Sequence, residues 1–91
     1  MTIYVVEGQT GEYSDNRNWL VKAFKSEQKA REFIEKVSKE YRRIREKFNG
    51  DRHWYSDWNR KEDGNPLDPR MQTDYTGTSY SYYSVELDED E

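Results

Sequence analysis

Between residues 26 and 48 the apolar positions recur with a single period. Ala30, Ile34, Val37, Tyr41, Ile44 and Phe48 stand 4, 3, 4, 3 and 4 apart, with Phe33 beside the stripe. Only a helix of 3.6 residues per turn puts such positions on one face. Ser26 precedes the run as an N-cap, since its side-chain oxygen can accept an otherwise unpaired first-turn N–H. Glu27 suits the positive end of the helix dipole, and Asn49-Gly50 supplies a stop. Glu32 with Lys36 and Glu35 with Lys39 are favourably oriented pairs on the polar side.

On either side of this helix the pattern changes to period two. Residues 2–7 (TIYVVE) are β-branched and read as a strand. Gly8, Gly11 and the polar GEYSDNRN stretch read as a loop or long hairpin connection. Residues 18–25 (NWLVKAFK) form a second strand, with Trp19, Val21 and Ala23 on one face and Leu20, Lys22 and Phe24 on the other. Residues 51–70 hold both prolines and many turn formers, which predicts a long ordered loop, with a short helical turn open to residues 51–58. A third strand is a candidate at residues 70–75, with Thr76-Gly77 as its turn. Residues 78–87 (TSYSYYSVEL) make the last strand, predicted to turn Tyr83, Val85 and Leu87 inward and Tyr80 and Tyr82 outward. The expected fold is one α+β domain over residues 1–87, followed by an acidic disordered tail at 88–91. Its core is a small antiparallel sheet of three to four strands with one long amphipathic helix packed on a face, in the order β-β-α-(β)-β.

The helix stripe has two uses. Alternating 3 and 4 spacing is what a coiled-coil seam requires, so it could zip to a second copy. About three heptads are marginal for that, and the sheet has nothing else to bury against, so packing inside the chain is expected. Monomer and homodimer both remain open.

Composition alters this picture through its rings. The chain holds eleven Ile, Leu and Val against fourteen Phe, Tyr and Trp. From Asn49 onward there are seven aromatics and three aliphatics, and every one of those rings carries an N–H or O–H. Such side chains suit surfaces that are buried on one side and wet on the other. Trp54, Tyr55 and Trp58, with Tyr80 and Tyr82, are therefore the candidate partner-binding residues. The competing use of these rings is to complete a core short of aliphatics.

Charge is unevenly spread. Residues 25–47 carry nine Lys/Arg against five Glu, a net +4, while the rest of the chain is −8. Lys39, Arg42, Arg43, Arg45 and Lys47 make the alternative, nucleic-acid-binding candidate, which Arg52, Arg60 and Lys61 would extend. Glu40, Glu46, Asp51, Asp57, Glu62 and Asp63 are interleaved with them, and a mixed-sign face is usually only solvated.

Catalysis has little to stand on. The single histidine, His53, lies near Asp51, Ser56 and Asp57, but a Ser-His-Asp arrangement is a matter of three-dimensional geometry. No phosphate loop, dinucleotide fingerprint or His-rich metal spacing is present, and no cofactor or metal is expected. There is no cysteine for disulfides or thiolate sites, no apolar run of about 20 residues to span a bilayer, and no signal-peptide pattern at the start. A protein of a reducing cytoplasm is the expectation.

One resemblance adds to this. YVVEG (4–8), GEYSD (11–15) and AFKSEQKAREFIEKV (23–37) follow a strand, YSD turn, strand and Ser-capped helix pattern. Over about the first 37 residues it resembles a loose group of short phage and prophage accessory proteins of unknown function. The resemblance implies a mobile-element origin in a bacterial host and transfers no functional residues. Proteins of that class often bind a host or defence protein, as anti-CRISPR and anti-restriction inhibitors do. The expected function is a non-catalytic protein-binding module of this kind. The alternatives are a nucleic-acid binder using the basic helix face and a homodimeric structural protein.

Overall fold

The computed structural model describes residues 1–12, 14, 16–47, 65–73 and 76–88. Four elements follow one another: β1 (Thr2–Thr10), β2 (Arg17–Phe24), α1 (Glu27–Lys47) and β3 (Thr78–Glu86). The strands form one antiparallel sheet in the order β2-β1-β3, and α1 lies across one face. This is the expected small α+β fold with three strands. The proposed strand at 70–75 is not seen at 70–73, and 74 and 75 lie outside the described residues. The helical turn at 51–58, the Asn49-Gly50 stop and the tail from 89 onward also lie outside them.

The helix starts as its sequence requires. Ser26 Oγ accepts from Lys29 N at 3.3 Å, and Ser26 O accepts from Ala30 N at 3.1 Å. Ala30, Val37, Tyr41 and Ile44 are buried against the sheet, so the heptad stripe is used inside the chain. Such tertiary burial, more than helix propensity, supplies most of the stability of a helix within a folded chain. On its wet side the ion pairs among the described residues are Glu27–Arg31 and Glu40–Arg43, and the expected Glu32–Lys36 and Glu35–Lys39 pairs do not form.

β1 runs three residues beyond its predicted end. Gly8 looked like the start of a loop, but it pairs with Trp19 of β2 and lies buried beneath the indole. A Cβ built on Gly8 would meet Trp19 Nε1 at 2.7 Å and the adjoining ring carbons closer still. Bare backbone is what lets the ring lie flat on the central strand.

A bulge in β2 corrects the predicted face alternation. Val6 pairs with Lys22 and Glu7 with Leu20, which leaves Val21 as the extra residue. Trp19, Lys22 and Phe24 consequently share the helix side, while Leu20 and Ala23 share the other. Phe24 packs on Phe33 of α1 with ring centroids 5.4 Å apart, and the Lys22 ammonium rests over both rings. The core proper is Trp19, Tyr41, Ile44 and Met71, with Val21 and Tyr80 packed against it.

Substituting Gly8→Ala is expected to destabilise the fold by about 1–3 kcal/mol through overpacking against an anchored ring. Urea denaturation followed by Trp fluorescence checks this.

Candidate protein-binding surface

Residues 65–71 (NPLDPRM) close the core with two consecutive tight turns. Asp68 N donates to Asn65 O and Met71 N donates to Asp68 O, both at 3.1 Å. Pro66 and Pro69 each stand at the second turn position, where a fixed φ is favourable. Each turn is braced by its first side chain: Leu67 N donates to Asn65 Oδ1, and Arg70 N donates to Asp68 Oδ1.

The turns deliver Asp68 into the core, where it is 1% exposed. Its Oδ2 accepts from Trp19 Nε1 at 2.9 Å and from the Tyr80 hydroxyl at 2.8 Å. Asn65 Nδ2 donates to Val37 O of α1 at 3.3 Å. One short segment thus ties β2, β3 and the helix. Burial, followed by the charge and hydrogen bond of Asp68, raises the Tyr80 pKa well above its ordinary value. Sequence reasoning missed Asn65 and Asp68. The signal was the in-step repeat Asn65-Pro66 and Asp68-Pro69, two Asx-Pro turn starts three residues apart.

The last strand carries its rings the opposite way from expectation. Tyr80 and Tyr82 are half-buried on the helix side, whereas Tyr83, Val85 and Leu87 are 43%, 38% and 46% exposed. Tyr82 pairs across from buried Val6. Its hydroxyl donates to Glu27 Oε1 and accepts from Arg31 Nε, while its ring meets Tyr4 edge-on at 6.2 Å. Hydropathy alone does not rank these positions, because Tyr80 finds a buried acceptor in Asp68 and Tyr82 lays its ring against Tyr4 while its hydroxyl reaches Glu27 and Arg31 at the surface.

The face opposite the helix is consequently apolar and open. Ile3 and Val5 of β1, Leu20 and Ala23 of β2, and Tyr83 and Val85 of β3 share it, and Leu20 is 54% exposed. Along the β2 side it deepens into a groove of about 410 Å³ between Val5, Leu20, Ala23, Pro69 and Arg70. Glu7 is the one charged strand residue on this face, half-buried between Leu20 and Ser81, and it makes no ion pair among the described residues.

The other candidates fall elsewhere. Trp54, Tyr55 and Trp58 lie outside the described residues, as does His53. Lys39, Arg42, Arg43, Arg45 and Lys47 are all exposed on α1. At roughly 100° per residue they spread around most of the solvent-facing arc instead of forming one stripe. Arg43 is paired with Glu40 at 3.0 Å, and Arg45 lines a polar cleft with Thr10, Thr76 and Thr78. The hydroxyls there hold turns: Thr10 donates to Gly77 O, Gly11 N donates to Thr76 Oγ1, and Thr78 donates to Gln72 O. Among the described residues no helix is long and apolar enough to cross a membrane. No protein-family model, curated protein or solved structure matches this chain.

Two outcomes test the Asp68 centre. Asp68→Ala strands two buried donors and is expected to cost about 2–4 kcal/mol by urea denaturation, with Asp68→Asn costing less because one oxygen acceptor remains. Tyr80 is neutral in folded and unfolded chains below about pH 10. Above that pH only the unfolded chain ionises it freely, so stability should fall as pH rises. Urea midpoints at pH 9 and pH 11 (roughly one unit either side of a free phenol) check this. Tyr80→Phe should lose about 1 kcal/mol at pH 9 but show a smaller fall between the two.

Proposed function

We propose that this chain is a non-catalytic protein-binding module and that the open face of its sheet is the contact surface. One observation carries the reading: Leu20, Tyr83 and Val85 stand exposed together on the face that α1 leaves uncovered. A contiguous apolar patch marks an interaction site more often than scattered exposed side chains do. Glu7 in its midst favours a partner that sets a Lys or Arg among apolar residues, because a half-buried carboxylate gains most from a cation that excludes water with it. The N-terminal resemblance to phage accessory proteins supports a host or defence protein as that partner, met in a bacterial cytoplasm. Trp54, Tyr55 and Trp58 stay in the proposal as additional anchors.

Nucleic-acid binding draws less support, since the helix cations are dispersed and partly paired with Glu. It would appear as DNA or RNA affinity that drops steeply between low and moderate salt.

The test uses the full chain as bait in a bacterial lysate beside a Leu20→Ser/Tyr83→Ser variant. Both positions are exposed, so the variant's stability should stay within about 0.5 kcal/mol per substitution. The expected result is a protein enriched by the parent chain and lost with the variant. Enrichment of nothing, or equal enrichment by both, would sink the open-face reading.

A further inference from the structure

The two edges of the sheet are not alike. β2 is broken by the bulge at Val21, carries Arg17 and Lys22, and is flanked by the 65–71 turns through the Trp19–Asp68 bond. Bulges, charges and covering segments are the usual protections of an edge strand. Among the described residues β3 has no bulge and no covering segment, and its only charge stands at its end. Its nine residues, TSYSYYSVE, pair with β1 without a register shift, contain no Lys and no Pro, and carry one charge, Glu86, at the end. Among the described residues no hydrogen bond beyond the β1 ladder reaches its main chain except at its margins, where Leu87 N donates to Met1 O.

We propose that β3 pairs antiparallel with β3 of a second copy, joining two three-stranded sheets into one of six strands about a two-fold axis. Self-pairing is electrostatically clean: an axis anywhere from Tyr80 to Ser84 sets Glu86 opposite a neutral residue or beyond the strand end. Among the described residues only the β3 edge of each copy is open, so the contact closes as a dimer and does not propagate into a filament. The small core gives a reason for it. Among the described residues the buried hydrophobics are Val6, Trp19, Ala30, Val37, Tyr41, Ile44 and Met71, few enough that extra pairing would add useful stability. A two-fold normal to the sheet leaves both helices on one side. On the other, Tyr83 and Val85 of the two copies become neighbours, so the open face doubles. The pairing stands on the edge alone and does not need the open-face reading.

The chain has no cysteine, so single cysteines report position directly. Residues paired near the axis would sit about 4.5–5.5 Å apart at Cα, within disulfide range. Under mild oxidation at least one single cysteine placed along residues 80–84 is expected to give a cross-linked dimer and so mark the axis, while Asn18→Cys on the β2 edge stays monomeric. Light scattering of the parent chain at high micromolar concentration should give twice its 11.1 kDa mass. Ser81→Lys should weaken the dimer by at least about tenfold with its circular dichroism unchanged, because it sets a charge on the paired edge. A monomer mass at that concentration, or cross-linking no better in β3 than at residue 18, overturns the proposal.

Discussion

The structure depends on one buried carboxylate. Asp68 takes the Trp19 indole N–H and the Tyr80 hydroxyl on a single oxygen, so the outer strands on either side of β1 are bound through a residue that belongs to neither. The indole can lie in the core only because Gly8 leaves room beneath it and Asp68 satisfies its edge. A buried donor without such a partner costs roughly 1–3 kcal/mol, more than a thin core can spare. Asn65, presented by the same pair of turns, extends the tie to the helix backbone at Val37.

This arrangement explains an interior that is aromatic and polar in a chain poor in aliphatics. Tyr80 and Tyr82 fill the space between β3 and α1 while their hydroxyls reach Asp68, Glu27 and Arg31. Strand alternation then forces Tyr83 and Val85 to the other side. The open face is therefore the counterpart of the side that Tyr80 and Tyr82 occupy.

How much was legible differs by element. The helix was readable to within a residue or two, because its stripe and Ser26 cap are local signals that agree with each other. The last strand was also readable in extent, but its orientation was not. Period two says which residues share a face and never which face is covered. The bulge at Val21 left no mark in the sequence, since NWLVKAFK alternates acceptably with or without it. The turns at 65–71 did leave one, in Asn65-Pro66 and Asp68-Pro69, and it was passed over as general loop composition.

On β3 the sequence favoured Tyr80 and Tyr82 as the outward residues, whereas the structure turns them to the helix side and leaves Tyr83 and Val85 exposed. Taken alone, the sequence determined the helix, the three strands that form, their order and the α+β class, because these follow from periodicity and capping within a few residues of chain. Only the tertiary structure decided that a carboxylate at 68 would meet rings at 19 and 80, and hence which face of the sheet would stay open. That choice rests on the desolvation of polar groups brought together from distant positions, and no local pattern encodes it.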